Sequence, residues 1–291
     1  MTLLIILLTL GLVQIWGSGA PLHRDHWFDR WSTHIEGLSP LQGKEGLLIG
    51  FSVLPPVLVA ALAMAFAQSF AGALGGLLLG VPLLLYCLGR GNFNETLSAY
   101  LRNWYRGDFN GAAEAARPLL REIHESAAEG GRLHEQVFRG AAYSAFERLF
   151  AVLFWFILLG IPGALLFRLS ALYAERARGT EREAVAARWL WLLEWVPVRL
   201  MGLSFAIVGN FAGCYRAWRQ CLMCRERDTD QVLESYLEGA LGGIDASECS
   251  ASADLSHIQR QSGAEIEGLQ ALLSRSLLLW ITALALTVLF F

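Results

Sequence analysis

Glu194, Pro197 and Arg199 stand in a run, residues 189–212, that is otherwise apolar enough for a lipid bilayer. An ionisable group at the centre of a spanning helix costs roughly 2.5–3.5 kcal/mol, so such groups face a partner, a cavity or water. Proline removes a backbone donor and is expected to break the helical ladder between the two charges. Opposite charges five residues apart, astride a break, have two readings. In one, Arg199 holds a ligand carboxylate or phosphate, and Glu194 holds Arg199 when the site is empty or contacts an amine. In the other, they form a structural ion pair that closes a helix bundle. A second doublet, Glu147-Arg148, lies at the mouth of another apolar run. A mouth arginine ordinarily snorkels to the interface; the glutamate is a candidate to line the same cavity as Glu194. The ligand-binding candidates are therefore Glu194, Arg199, Glu147, Arg148 and Pro197. Were the protein an enzyme, Glu194 and Glu147 would be its acid–base or metal-binding carboxylates.

Other chemistry is weaker. His23, Asp25 and His26 open a segment dense in His and Asp, and the two histidines fall about one helical turn apart, so they are the metal candidates. Trp27, Phe28 and Trp31 alternate there with charges as in a helix lying on a membrane surface, and interfacial anchoring is the preferred reading. Gly37 stands six positions before Gly43 where a phosphate-binding loop needs five, and Glu45 follows Lys44 where Ser or Thr should bind magnesium. That loop is excluded. No nucleophile elbow, H-E-x-x-H or dinucleotide fingerprint appears, and no cofactor is named by the sequence. Cys221 and Cys224 have no second pair at zinc-ribbon spacing; with Cys214 they read as structural thiols on one side of a helix.

These candidates must be positioned by membrane helices. The chain has 291 residues, 55% of them hydrophobic, with mean hydropathy +0.43. Four stretches reach the roughly 20 residues a spanning helix needs: 47–67, 70–88, 149–172 and 190–212. Two shorter ones sit at the ends, 2–16 and 276–291. The first lacks a basic n-region and a good cleavage site, and reads as a retained anchor. Spans 47–67 and 70–88 form a hairpin turned at Gln68-Ser69. Gly72, Gly76 and Gly80 make a small-residue stripe that lets backbones approach closely.

The organisation expected is an N-terminal anchor, loop and hairpin (1–89) and a soluble helical segment (90–148). A two-span core (149–215) follows, then a second soluble segment (216–275) and a terminal membrane segment (276–291). In 90–148, Asn94-Glu95 suit a helix start, a helix over 112–128 is interrupted at Arg117-Pro118, and 133–146 runs into the next span. Residues 242–256 read as a flexible loop. No strand-like alternation is present, so the fold is all-α, with about six membrane segments. Seventeen basic residues in loops 17–46, 90–148 and 216–275 outnumber the five of 173–188, counted with Arg168 and Arg188 at the membrane edge. The positive-inside rule then places the three larger segments together in the cytoplasm, packed as a helical cap. Net charge is −3, which argues against nucleic acid as a partner.

Leu193-Glu194-Trp195-Val196-Pro197-Val198-Arg199-Leu200 resembles the Asp/Glu-Trp-(Val/Ile)-Pro-(Val/Ala)-Arg-Leu signature of the AmpE and adenosylcobinamide-phosphate synthase superfamily. Leu153-Phe154-Trp155-Phe156, with Leu159 to Arg168, is similar to a second motif of that group, and the Pro21 to Phe28 stretch to the AmpE N-terminal loop. The resemblance covers nearly the whole chain in order. The synthase's Asp-Ser-Met signature is missing, since the corresponding stretch here, Arg168 to Tyr173, holds no acid, and its His-Pro motif is absent too. The resemblance therefore implies the AmpE branch: a multi-pass protein of the bacterial inner membrane that modulates β-lactamase induction. The expected function is a regulatory or sensory protein binding a small anionic, cell-wall-derived ligand. The alternative is a membrane-embedded, ATP-dependent ligase or transferase related to the synthase. A transporter is disfavoured because no inverted repeat is visible. Expected partners are the lipid bilayer and the anionic ligand; association with further copies of the chain is an open option.

Overall fold

The computed structural model describes residues 1–16, 25–37, 43–88, 93–120, 130–224, 227–242 and 255–290, and every regular element among them is helical. Four of these helices are long and apolar enough to cross a membrane, within Glu45–Cys87, Arg132–Leu159, Glu183–Val208 and Ser262–Phe290, and Thr2–Ile15 is a shorter apolar helix. The chain forms two compact units, Met1–Gly91 with Glu147–Pro197, and Asn92–Phe146 with Val198–Phe291.

The first unit contains α1 (Thr2–Trp16), α2 (His26–Glu36), α3 (Glu45–Cys87), α7 (Ala151–Leu159), α8 (Ile161–Ala177) and the first part of α9 (Glu183–Val208). α3 is the organising element and packs against α8, α1 and α2. It is no straight rod. At Gly72 the backbone adopts φ 56°, ψ −134°, a conformation essentially closed to residues with a Cβ. Beyond it the chain doubles back. A Cβ at Gly75 would strike the Ala67 carbonyl, and one at Gly76 would lie 3.4 Å from Gln68 Cγ. Eight residues along a straight helix would be about 12 Å apart. The hairpin of two apolar stretches is thus present, but Gly72 makes the turn in place of Gln68-Ser69. The glycine stripe correspondingly loses one member: Gly76 packs on Met1, just before α1, and Gly80 on Ile5 of α1, while Gly72 supplies the reversal.

The same device splits the stretch expected as one span over 149–172. Gly160 takes φ 71°, ψ −156°, between α7 and α8, and Gly163 abuts the Trp155 carbonyl. The apolar run hides a turn, with Pro162 at the start of α8 setting the new direction. The segment 173–188 therefore returns beside 26–36. Arg176 Nη1 donates to the Asp29 carbonyl at 2.8 Å, and Arg182 Nη1 lies 3.0 Å from Glu36 Oε2. The expectation that these two segments lie on opposite sides of the membrane is overturned by these contacts.

The second unit holds the last part of α9 with α4 (Phe93–Tyr105), α5 (Phe109–Ala116), α6 (Gly130–Ala145), α10 (Phe211–Cys221), α11 (Thr229–Leu241) and α12 (Leu255–Phe290). Asp108 caps α5 by accepting from the Gly111 amide at 2.9 Å, and a 3-10 turn at Arg117–Leu119 ends it, as Arg117-Pro118 implied. α11 packs on α6, and α12 on α4, α6 and α11, so the two polar segments do share one helical body. His134 ties them: its Nδ1 meets Tyr100 Oη at 3.2 Å and its Nε2 meets Glu265 Oε2 at 2.8 Å. Burial drives the Tyr100 hydroxyl well above its ordinary pKa, so it stays protonated. α12 begins far before residue 276, and most of the loop expected over 242–256 lies outside the described residues. α10 and α11 touch backbone to backbone, a Cβ on Gly239 falling 2.8 Å from Cys214 Cα.

Gly72 and Gly160 have no atom close enough to obstruct a methyl group, so alanine there costs backbone conformation alone. Gly72→Ala and Gly160→Ala are each expected to lower unfolding free energy by about 1–3 kcal/mol in detergent melts. Gly46→Ala, also in open space but at the start of α3, is expected to be neutral or stabilising by up to ~1 kcal/mol. Equal behaviour of Gly72→Ala and Gly46→Ala would disprove the turn.

Candidate functional site

α9 runs unbroken from Glu183 to Val208 with Pro197 inside it, so the expected break in the helical ladder does not occur. The physical reason lies on the neighbouring helix. Proline has no N–H, which leaves the carbonyl four residues earlier, that of Leu193, without its helical donor. Trp155 Nε1 donates to that carbonyl at 3.1 Å. A membrane helix tolerates proline when a neighbouring group re-satisfies the freed carbonyl, and α7 supplies the indole. Glu194, next in sequence, is 3% exposed and engaged in polar or electrostatic interaction. On a continuous helix, five residues set Glu194 and Arg199 about 140° apart around the axis.

Arg199 has a defined task inside the second unit. Its Nη2 donates to the Cys224 carbonyl at 2.8 Å and to that of Cys221 at 3.4 Å, and its Nε to that of Leu222 at 3.3 Å. These oxygens lie at and just beyond the C-terminus of α10, where a helix leaves its carbonyls unpaired and favours a cation. In return, Trp218 Nε1 donates to the Arg199 carbonyl at 2.8 Å. α10 is therefore folded back against α9 and clamped there. Cys214, Cys221 and Cys87 are buried free thiols, and burial pushes Cys214 up to about 11, which keeps it protonated and unreactive.

The first unit holds a second buried pair of opposite charges. Asp25 and Arg168, each 6% exposed, are within ion-pair reach, Arg168 Nη2 lying 3.5 Å from Asp25 Oδ2. Tyr86 Oη donates to Asp25 Oδ1 at 2.9 Å, and Trp27 Nε1 to Tyr86 Oη at 3.2 Å. One short network thus fixes the start of α2 to α3 and α8. Arg168 is no membrane-edge cation, as the loop count takes it, but a core one. Asp25 is committed to this network, His26 is exposed and 4.0 Å from Asp29, and His23 lies outside the described residues. Among the described residues no three His, Cys, Asp or Glu side chains converge to hold a metal.

Glu147 and Arg148 fall in a π-helical turn, Phe146–Phe150, between α6 and α7. Such turns bulge a helix and are frequent at functional sites. Arg148 is within electrostatic reach of Glu147, Arg168 and Glu175. Sequence reasoning names the doublet but misses Arg168 and Tyr86. The signal is available: an arginine inside an apolar stretch needs a buried acid, and Asp25 is a candidate partner.

The family described as "Regulatory signalling modulator protein AmpE" matches residues 1–248. The chain is also similar to two proteins named "Cobalamin biosynthesis protein CobD". With that of Stutzerimonas stutzeri it shares 40% identity over 94 residues, 29% of this chain and 31% of the relative. With that of Chromobacterium violaceum it shares 29% identity over 148 residues, 48% of this chain and 46% of the relative. The chain thus spans about a third to a half of these curated relatives. No solved structure matches.

The indole cap is open to a double-mutant cycle. Trp155→Phe should destabilise by about 1–2 kcal/mol through the stranded Leu193 carbonyl. In a Pro197→Ala background, where residue 197 regains its N–H, most of that loss should vanish; additive losses would reject the cap. Arg199→Ala should lower the yield of folded protein, and Arg199→Lys should not restore it, since the contacts come from two separate nitrogens of a rigid planar guanidinium, whereas an ammonium is a single point charge on a shorter, flexible stem.

Proposed function

The chain belongs to the AmpE family, and from that premise we propose that this regulatory membrane protein sits in the bacterial inner membrane, crosses it several times and modulates β-lactamase induction. The observation that carries the reading is the match over residues 1–248, which includes the stretch around Glu194 and the Trp155-bearing helix that supports it. The signal it reads is a small anionic, cell-wall-derived molecule. Glu194, Glu147 and Arg148, all in the first unit, take the ligand-facing roles, with Arg148 meeting the anion as a permanently charged fork. Pro197 and Trp155 hold Glu194 in place. Arg199, committed to the end of α10, serves by positioning that helix.

Similarity to the CobD proteins supports a second reading, a membrane ligase or transferase with Glu194 and Glu147 as its carboxylates. Against it, the stretch Arg168 to Tyr173 lacks the synthase's acid. Detection of ATP cleavage coupled to amide formation by the purified chain would favour this alternative.

The test replaces the chromosomal gene with variants and follows β-lactamase induction beside the amount of protein in the membrane. Glu194→Gln keeps the shape and removes the charge, and should abolish the chain's effect on induction at near-normal abundance. Gly76→Leu, which must displace Gln68 and Met1, should lower abundance and effect together. If Glu194→Gln also loses protein in parallel, Glu194 is scaffold and its ligand role fails.

A further inference from the structure

α2 carries a face that the proposed regulatory site does not use and that the fold engages through its two indoles, leaving Arg30 and His34 uncommitted among the described residues. Phe28, Ser32 and Ile35 are buried, and Asp29, Thr33 and Glu36 meet Arg176 and Arg182. The remaining stripe, Trp27, Arg30, Trp31 and His34, borders a groove of about 920 Å³, at the upper end of ordinary ligand pockets. The two arms of α3 form its walls, with Pro55 and Pro56 on one side, Pro82 and Leu83 on the other, and Ala63 and Leu79 toward the Gly72 turn. None of the lining residues is acidic. Arg30 and His34 are exposed and make no hydrogen bond or ion pair among the described residues, whereas the neighbouring acids of α2 are engaged by arginines.

Both indoles at the rim already spend their N–H groups inward, Trp27 on Tyr86 Oη and Trp31 on the Ser52 carbonyl. They can offer an incoming molecule only their apolar rings. The groove is therefore polar and positive at its α2 end alone, and hydrocarbon-like from Pro55 to Ala63, about 12 Å of helix. That gradient is the shape of an amphiphile standing in a membrane, with an anionic head among basic interfacial side chains and a tail in the apolar slot.

We propose that this groove binds one anionic phospholipid of the bilayer, its phosphate at Arg30 and His34 and an acyl chain between the arms of α3. The site is separate from Glu194, Glu147 and Arg148 and does not depend on their role. The experiment uses the full chain in detergent supplied with equal amounts of phosphatidylglycerol and phosphatidylcholine, with retained lipid read by native mass spectrometry. The intact protein should keep phosphatidylglycerol several-fold over phosphatidylcholine. The double substitution Arg30→Gln, His34→Gln should bring the ratio to unity with an unchanged melting temperature, because both side chains are exposed. Ala63→Trp should fill the slot and reduce retention of both lipids. Equal retention by the intact chain, or an unchanged ratio in the double variant, overturns the proposal. So does full displacement of phosphatidylglycerol by a polyprenyl phosphate, which would assign the groove to a different lipid.

Discussion

Lipid supplies no hydrogen bonds, so every carbonyl that a helix frees inside the hydrocarbon must be met by another part of the protein. This chain places prolines in two apolar helices and answers one in each with a tryptophan. Pro197 frees the Leu193 carbonyl, which accepts from Trp155 at 3.1 Å. Pro56 frees the Ser52 carbonyl in the same way, and Trp31 donates to it at 3.0 Å. Each cap is also a tertiary contact, the first tying α7 to α9 and the second tying α2 to α3. The prolines within these helices and the packing of the first unit are therefore one arrangement. Removing a proline relieves the need for its indole, while removing an indole exposes an unmet carbonyl.

α2 shows how much a short helix can carry. Its N-terminal end is pinned by Asp25 through Tyr86 and Arg168, and its acidic face by Arg176 and Arg182. Individually, the exposed pairs contribute little. The Asp25–Arg168 pair is different, because removing either partner strands a buried charge at a cost of about 3–5 kcal/mol. The reversal at Gly160 is what brings Arg168, Arg176 and Arg182 to α2 at all. Backbone geometry at one glycine thus decides where three cations go.

Much of this is legible in the sequence. The all-α class, the apolar stretches, the family motifs and the burial of Glu194 follow from composition and from the cost of charge in lipid. The turns are not legible, because an apolar run has the same hydropathy whether it continues or doubles back. Gly72 reads as packing and Gly160-Ile-Pro-Gly163 as part of a span; only φ and ψ distinguish a contact glycine from a reversing one. Pro197 misleads for a related reason. A proline's effect depends on whether a donor waits outside the helix, and that donor, Trp155, stands on a different helix far away in sequence. The position of Arg199 beside the last carbonyls of α10 likewise depends on a fold-back after Val208 that hydropathy does not record.

The α3 hairpin has unequal arms. Residues 45–71 make about 40 Å of helix and residues 73–87 about 22 Å, against a hydrocarbon core of about 30 Å. From Gly46 to Cys87 the element carries no charged side chain, so nothing on it fixes its depth electrostatically. The level is set by α2, seated at Ser52 and Tyr86. Measured from there, the outgoing arm covers about 30 Å to Gly72 and the returning arm about 20 Å. The two can meet at the turn only if the outgoing arm tilts more than the returning one, and tilt is one of the ways a helix accommodates a bilayer whose thickness differs from its own length.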